Sequence, residues 1–228
     1  MKMPKRLTIL NANHYVGNRT RRKWRQAMAA HKAAVVTVQE GDLAGDLPGY
    51  VTVAAPPWMP RPARSVRIYV RDDLADQVDG IACHRLTDQV PGYRWGHTRW
   101  VTVVLLRGGW AVMCIHANPG AAGVPKSNAQ NIRYINGLDA LADAYARLGY
   151  RRVVAAGDWN RPEGDVATAP PGTPGQLARR WSGTVRLHRI DGYVVRPTVT
   201  LKRFEVLPNP GSDHRATIAT VTVAKAAE

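Results

Sequence analysis

The stretch VVAAGDWNRP, residues 153–162, decides how the rest of the chain is read. An apolar run from Val153 to Ala156 breaks at Gly157 into Asp158, Trp159 and Asn160. Small and β-branched residues in succession read as a buried strand. Gly, Asp and Asn are also what a strand uses to turn, so a plain turn accounts for these positions taken alone. A strand this dry that ends on a carboxylate and a carboxamide would equally be a rigid mount for chemistry. The remainder of the chain has to separate the two readings.

Upstream, Ser127 and Gln130 have the spacing of a capping box, and Ile132, Ile135, Leu138, Ala142, Tyr145 and Leu148 recur at intervals of three and four. Gly149 supplies the stop, so a helix over 127–148 is expected to deliver the chain into the strand. Further strands are expected at RLTILNA (6–12), AVVTVQE (34–40), YVTVAA (50–55), SVRIYV (65–70), RWVTVVLL (99–106) and WAVMCIHA (110–117). RTRRKWRQAMAAHK (19–32) reads as a helix with Trp24, Ala27, Met28 and His31 on one side and arginines on the others. Downstream, the Pro- and Gly-rich segment 161–176 reads as an exposed loop. RIDGYVV (189–195), VTLKRFEVL (199–207) and ATIATVTV (216–223) read as late strands. No repeat of fixed period and no polar linker divides the chain, so one α/β domain over residues 1–228 is expected.

The composition bounds the partners. Hydrophobic residues make up 45% of the 228, enough to bury a sizeable core. Lys and Arg number 32 against 17 Asp and Glu, a formal charge of +15. That balance points to a polyanion, nucleic acid first and an acidic membrane surface second, with a merely solvated basic surface as the bland alternative. Cys83 and Cys114 form neither a metal-ligand cluster nor a disulfide framework. The first apolar stretch is too short for a signal peptide and no window approaches a transmembrane span, so a cytoplasmic protein without membrane insertion is expected, as a monomer.

The pattern at Asp158 and Asn160 recurs. The first strand ends on Asn11 and Asn13, the second on Gln39 and Glu40, and WAVMCIH on His116. Asp191 lies just inside RIDGYVV, while Asp213 and His214 immediately precede the last strand. Each has a capping or turn explanation, but strand ends are where layered α/β folds collect ligands, and one shared site explains them together. Glu40 with the oxygen of Asn13 offers hard donors suited to Mg²⁺ or Mn²⁺. An Asp to orient water, imidazoles near a phosphate and a bound dication make the parts of a metal-assisted phosphoester hydrolase. His116 has a competing reading as a core imidazole, and His14, His31, His84, His97 and His188 lack a motif. Trp24 and Trp159 read as packing residues rather than stacking platforms.

In their order, ILNAN, VVTVQE, AVMCIH, VVAAGDWN, RIDGYVV and GSDHRA resemble the motifs of the endonuclease/exonuclease/phosphatase superfamily over nearly the whole chain. The resemblance implies a two-sheet β-sandwich flanked by helices, a four-layer α/β/β/α fold. It implies in-line attack of a water oriented by Asp158 on a phosphate bound by metal and His214, with Asn160 holding the phosphate. It assigns Glu40, Asn13 and Asp213 to the metal, Asp191 to fixing the His214 tautomer, and His116 to protonating the leaving oxygen. Asn11 and Arg99 would lie against the substrate phosphate or its immediate surroundings. Asn13 departs from an Asp frequent in nucleases of this group, which lowers the negative charge of the site.

For substrate, the basic run RTRRKWR directly after the first strand favours a nuclease acting on DNA with little sequence specificity. A phosphatase or phosphodiesterase acting on inositol phosphates or phospholipids is the alternative, kept open by APPWMPRP (55–62). A catalytically silent phosphate-binding domain ranks third.

Overall fold

The structure is a computed structural model that describes residues 5–14, 19–40, 45–54, 66–87, 99–117, 125–160, 178–182, 191–196 and 198–223. Its strands are β1 (Arg6–Asn13), β2 (Val35–Gln39), β3 (Tyr50–Ala54), β4 (Val66–Arg71), β5 (Val78–Thr87), β6 (Arg99–Leu106), β7 (Trp110–His116), β8 (Arg152–Asp158), β9 (Ala178–Ser182), β10 (Asp191–Val195), β11 (Val199–Leu207) and β12 (Ala216–Val223). The helices are α1 (Arg21–Ala30) and α2 (Pro125–Arg147), with a short 3₁₀ turn at Asp72–Gln77.

The strands form two six-stranded sheets, ordered β11-β12-β1-β2-β4-β3 and β5-β6-β7-β8-β10-β9. Among the described residues each sheet has a single parallel pair, β1 with β2 and β7 with β8, and the helix between its members makes the crossover that parallel pairing requires. The two halves thus share one topology although no repeat is visible in the sequence.

Apolar residues sort into three layers. Leu7, Ile9, Val35, Val112, Val154, Tyr193 and Val221 belong to the core between the sheets. Trp24 and Met28 of α1 pack with Leu10, Ala12, Val36 and Val38 on the outer face of the first sheet. Tyr134, Leu138, Ala142 and Tyr145 of α2 pack with Ala111, Met113, Val153 and Ala155 on the outer face of the second. Strand alternation supplies both faces of each sheet, because its central strands are apolar over most of their length and bury both sides. The four-layer α/β/β/α architecture expected from the sequence is the one observed.

Three details differ from the expected elements. The helix expected over 127–148 begins earlier, at Pro125, a residue suited to a first helical turn because it lacks the amide hydrogen that would go unused there. Its end is as expected: Gly149 is left-handed (φ +98), and Tyr150 N–H returns to Tyr145 O at 2.9 Å in a Schellman closure. Strands β5 and β9 were not expected. β5 is an edge strand whose register shifts on both sides of its paired stretch, between Val78 and Gly80 and between Arg85 and Thr87, so its alternation is broken where a pattern search needs it. The sequence of β9, ARRWS, carries no apolar run. The loop read over 161–176 lies outside the described residues.

Gly157 shows why the decisive stretch has a glycine. A Cβ at this position would lie 2.1 Å from the carbonyl oxygen of Ile115, whose backbone is held in the β7–β8 ladder, and 2.6 Å from its Cγ1. The nearest atom is strand backbone, which leaves nothing cheap to move. Gly157→Ala is expected to destabilise the fold by about 2–3 kcal/mol, a fall in Tm of roughly 5 °C or more for a chain of this size. Thermal unfolding checks it, and an unchanged Tm would mean that the strands separate without cost.

Candidate active site

The pleat of the strands builds the site. On β1, Leu7 and Ile9 face the core between the sheets, and the next positions in that row are Asn11 and Asn13. On β2 the row runs from Val35 to Thr37 and Gln39. On β7 it runs from Val112 and Cys114 to His116, and on β8 from Val154 and Ala156 to Asp158. Each strand keeps its inward row but exchanges aliphatic for polar groups at its C-terminal end. Parallel pairing sets Asn13 opposite Gln39 and His116 opposite Asp158. Antiparallel pairing brings in the start of β10, with Asp191 opposite Asp158, and the start of β12, with Thr217 opposite Asn11. The polar ends of both sheets therefore meet at one mouth of the sandwich.

Asp158 is the hub. Its Oδ1 accepts the backbone N–H of Asn160 at 2.8 Å. Its Oδ2 lies 3.2 Å from Asn13 Nδ2, 3.6 Å from His116 Nε2 and 3.9 Å from His214 Nε2. Asn13 Nδ2 is in turn 3.5 Å from Glu40 Oε1, so two carboxylates flank one neutral amide. Asn160 Nδ2 donates to Ala117 O at 2.9 Å, and Ala117 N–H donates to Asp158 O at 2.9 Å, which laces the ends of β7 and β8 together. Glu40 and Asn160 both occupy the left-handed region, with φ of +53° and +51°. For a glutamate that conformation costs about 1–2 kcal/mol, and such strain persists where the surroundings over-determine it, commonly at functional sites.

The other sequence candidates fall in different places. Asn11 is buried, and its Oδ1 accepts from Thr37 Oγ1 and Gln39 Nε2, both at 2.9 Å, so it braces the strand ends from behind. Arg99, the first residue of β6, is also buried, close enough to Tyr134 for its charge to act on that hydroxyl. Asp213 is 57% exposed, and the contact described for it is with His214, 4.0 Å from Oδ1 to Nε2. The backbone of Asp191 pairs with Asp158, while its side chain lies outside the described residues. The carboxylate seen near the His214 imidazole on the inner side is that of Asp158.

Residues with no role assigned from the sequence complete the site. Gln39 Nε2 reaches Cys114 Sγ of the opposite sheet at 3.3 Å, and burial pushes that thiol up to about 12, which keeps it protonated. The Tyr193 hydroxyl crosses between the sheets to the carbonyl oxygens of Ile9 and Thr217, at 3.0 and 2.8 Å. Tyr134 of α2 accepts the His116 N–H and donates to Trp100 O, each at 3.4 Å, so the helix helps to set the His116 end of β7. Its signal in the sequence was weak, a tyrosine beside the periodic apolar row. His14 is buried edge-on to Trp24, and burial together with the charges of Arg21 and Arg25 lowers its imidazole to about 4.

Among the described residues no group of three or more His, Cys, Asp or Glu converges in a way that could hold a metal ion. The donors present, a glutamate carboxylate beside an asparagine amide with a second carboxylate across it, fit a hard dication that keeps several waters and takes few protein ligands.

Two face-to-face sheets with their crossover helices outside are the fold found in solved structures of endonuclease/exonuclease/phosphatase proteins. The endonuclease/exonuclease/phosphatase protein from Bacteroides vulgatus matches with a TM-score of 0.73 at 17% identity, covering 96% of this chain and 99% of that one. A mannosyl-6-phosphatase from Bacteroides thetaiotaomicron matches at 0.70 and 15%, covering 95% of this chain and 99% of that one. D. rerio TDP2, in complex with a single strand DNA product, matches at 0.64 and 14%, covering 96% of this chain and 100% of that one. No protein-family model matches the sequence, and no curated protein matches it.

Proposed function

We propose that the chain, read as one domain, is a divalent-metal-dependent phosphoester hydrolase, and within that class a nuclease acting on DNA with little sequence specificity. The observation that carries the first part is the convergence of Asn13, His116 and His214 on one carboxylate oxygen of Asp158, with Glu40 just beyond. With Oδ1 held by the Asn160 amide and Oδ2 facing Asn13 and the two imidazoles, the Asp158 carboxylate would orient a water within this cluster and take its proton. His116 and His214 stand on either side to bind a phosphate oxygen and to return a proton to the leaving oxygen. Glu40 and Asn13 would hold a Mg²⁺ or Mn²⁺ ion, which supplies neutralisation of phosphate charge, and exposed Asp213 is kept as a further metal-side residue. Asn11 and Arg99 would support the phosphate-binding end from within the core, and Asp191 keeps the role of fixing the His214 tautomer.

Helix α1 supports the second part. Arg21, Arg22 and Lys23 are exposed, and the N-terminal end of the helix lies beside the turn that leads to His214, with Thr20 Oγ1 donating to Pro210 O at 3.1 Å. Arg25 is less available: a Cβ on Gly45 would lie 2.5 Å from its Nη1. No helix among the described residues is long and apolar enough to cross a membrane. The second reading, a phosphatase acting on a small or lipid-borne phosphate, draws on the similarity to the mannosyl-6-phosphatase.

Purified protein assayed with Mg²⁺ or Mn²⁺, with and without chelator, against plasmid DNA, RNA, inositol phosphates and phospholipid tests the class. Activity that survives excess chelator rules the mechanism out. Between substrates, a variant with Arg19, Arg21 and Arg22 changed to Gln is expected to bind DNA more weakly, with the log–log salt slope reduced by roughly 0.9 for each phosphate no longer neutralised. A small activated phosphodiester, which does not reach the helix, reports on the mouth alone. An unchanged slope would leave α1 as a solvated face and favour the phosphatase.

A further inference from the structure

Asn209 lies in LPNPGSDH, where a turn accounts for it, yet it is 8% exposed and both ends of its carboxamide are bonded. Its Oδ1 accepts the indole N–H of Trp24 at 2.6 Å, and its Nδ2 donates to the carbonyl oxygen of Asn13 at 2.9 Å. The Ser212 hydroxyl donates to that same carbonyl at 2.7 Å and accepts the backbone N–H of His214 at 3.2 Å. Ser212 N–H closes back on Asn209 O at 3.2 Å. One buried side chain thus joins α1, the end of β1 and the turn that presents His214.

The chemistry of that position is narrow. It needs an acceptor toward an indole and a donor toward a carbonyl at short reach, and an uncharged carboxamide supplies both. An aspartate would satisfy Trp24 but set an oxygen against the Asn13 carbonyl.

We infer that Asn209 is a positioning residue: it fixes the Asn13 carbonyl and, through Ser212, the backbone of His214 relative to Asp158. It also ties the basic helix to the catalytic turn, so that the element proposed to hold the substrate backbone and the imidazole proposed to meet the phosphate are set by one carboxamide. This rests on the catalytic reading of His214 given above, while the geometric claim stands apart from turnover.

Asn209→Ala tests it in the full chain. On a small activated phosphodiester with saturating Mn²⁺, kcat is expected to fall about 10- to 100-fold, the scale of a misplaced catalytic group, with KM little changed. In ¹H–¹⁵N spectra of the free protein the His214 amide and Trp24 indole resonances are expected to shift, and both protons to exchange faster with solvent. Trp24→Phe, which removes the indole donor and leaves a smaller aromatic ring in the same buried place, is the second variant and is expected to move the His214 amide in the same direction by less. If Asn209→Ala does not fold, Trp24→Phe decides. A folded variant with wild-type kcat and an unmoved His214 amide overturns the inference. If the wild type itself hydrolyses no phosphoester, the functional reading fails, and the resonances alone decide whether Asn209 positions His214.

Discussion

Asp158→Asn is expected to lower kcat by about a thousandfold, within the 10²- to 10⁴-fold range of a lost general base, while substrate binding is largely kept. The substitution preserves size and removes the proton acceptor. It also places an amide where Asn13 Nδ2, His116 Nε2 and His214 Nε2 approach one oxygen and Asn160 N–H approaches the other. Whichever way the new amide turns, an NH₂ faces a donor, so a stability loss of about 1–3 kcal/mol accompanies the kinetic loss. Single-turnover rates and DNA-binding titrations on the same variant, with its Tm as control, separate the effects. Lost binding with an unchanged maximal rate would make Asp158 a binding residue rather than a base.

Glu40→Gln is the second large effect. Removing an outer group that merely orients a metal ligand costs about 10- to 100-fold in affinity, and loss of a charged ligand should cost at least as much. The variant is therefore expected to lose nearly all activity at metal concentrations that saturate the wild type, and to regain part of it as Mg²⁺ or Mn²⁺ is raised. Gln has the same backbone requirement as Glu at φ +53°, so the fold is not otherwise perturbed. Activity followed against metal concentration, with metal binding measured calorimetrically, gives the result. An unchanged half-saturation would remove Glu40 from the metal site.

Much of the architecture was legible because the central strands are apolar over most of their length. RWVTVVLL coincides with β6 and ATIATVTV with β12, and the edge strand β11 coincides with VTLKRFEVL. The edges of the second sheet were less legible: β5 is half-exposed and bulged, so neither of its faces is uniform, and β9 is paired through backbone with little apolar signal. Within the site, Asn13, Glu40, His116, Asp158 and Asn160 could be found because polar groups at the end of a dry strand stand out against their neighbours. Tyr134 and Asn209 could not. A tyrosine on a helix and an asparagine in a Pro/Gly turn look ordinary in sequence, and their roles depend on partners distant along the chain, Asn13 and Trp24 for Asn209, His116 and Trp100 for Tyr134. The exposure of Asp213 was equally invisible, since a Ser-Asp-His sequence does not say which way the aspartate points relative to the mouth.

The left-handed backbone at Glu40 sets two selective pressures against each other. Glycine would adopt φ +53° without the Cβ penalty and relieve the strain, but it would carry no carboxylate. A search for heat-resistant variants that ignored turnover would be drawn to this position, and each degree it gained there would come from a chain without the carboxylate proposed to hold the cation. Ranking substitutions at residue 40 by melting temperature and again by catalysis should therefore give opposite orders.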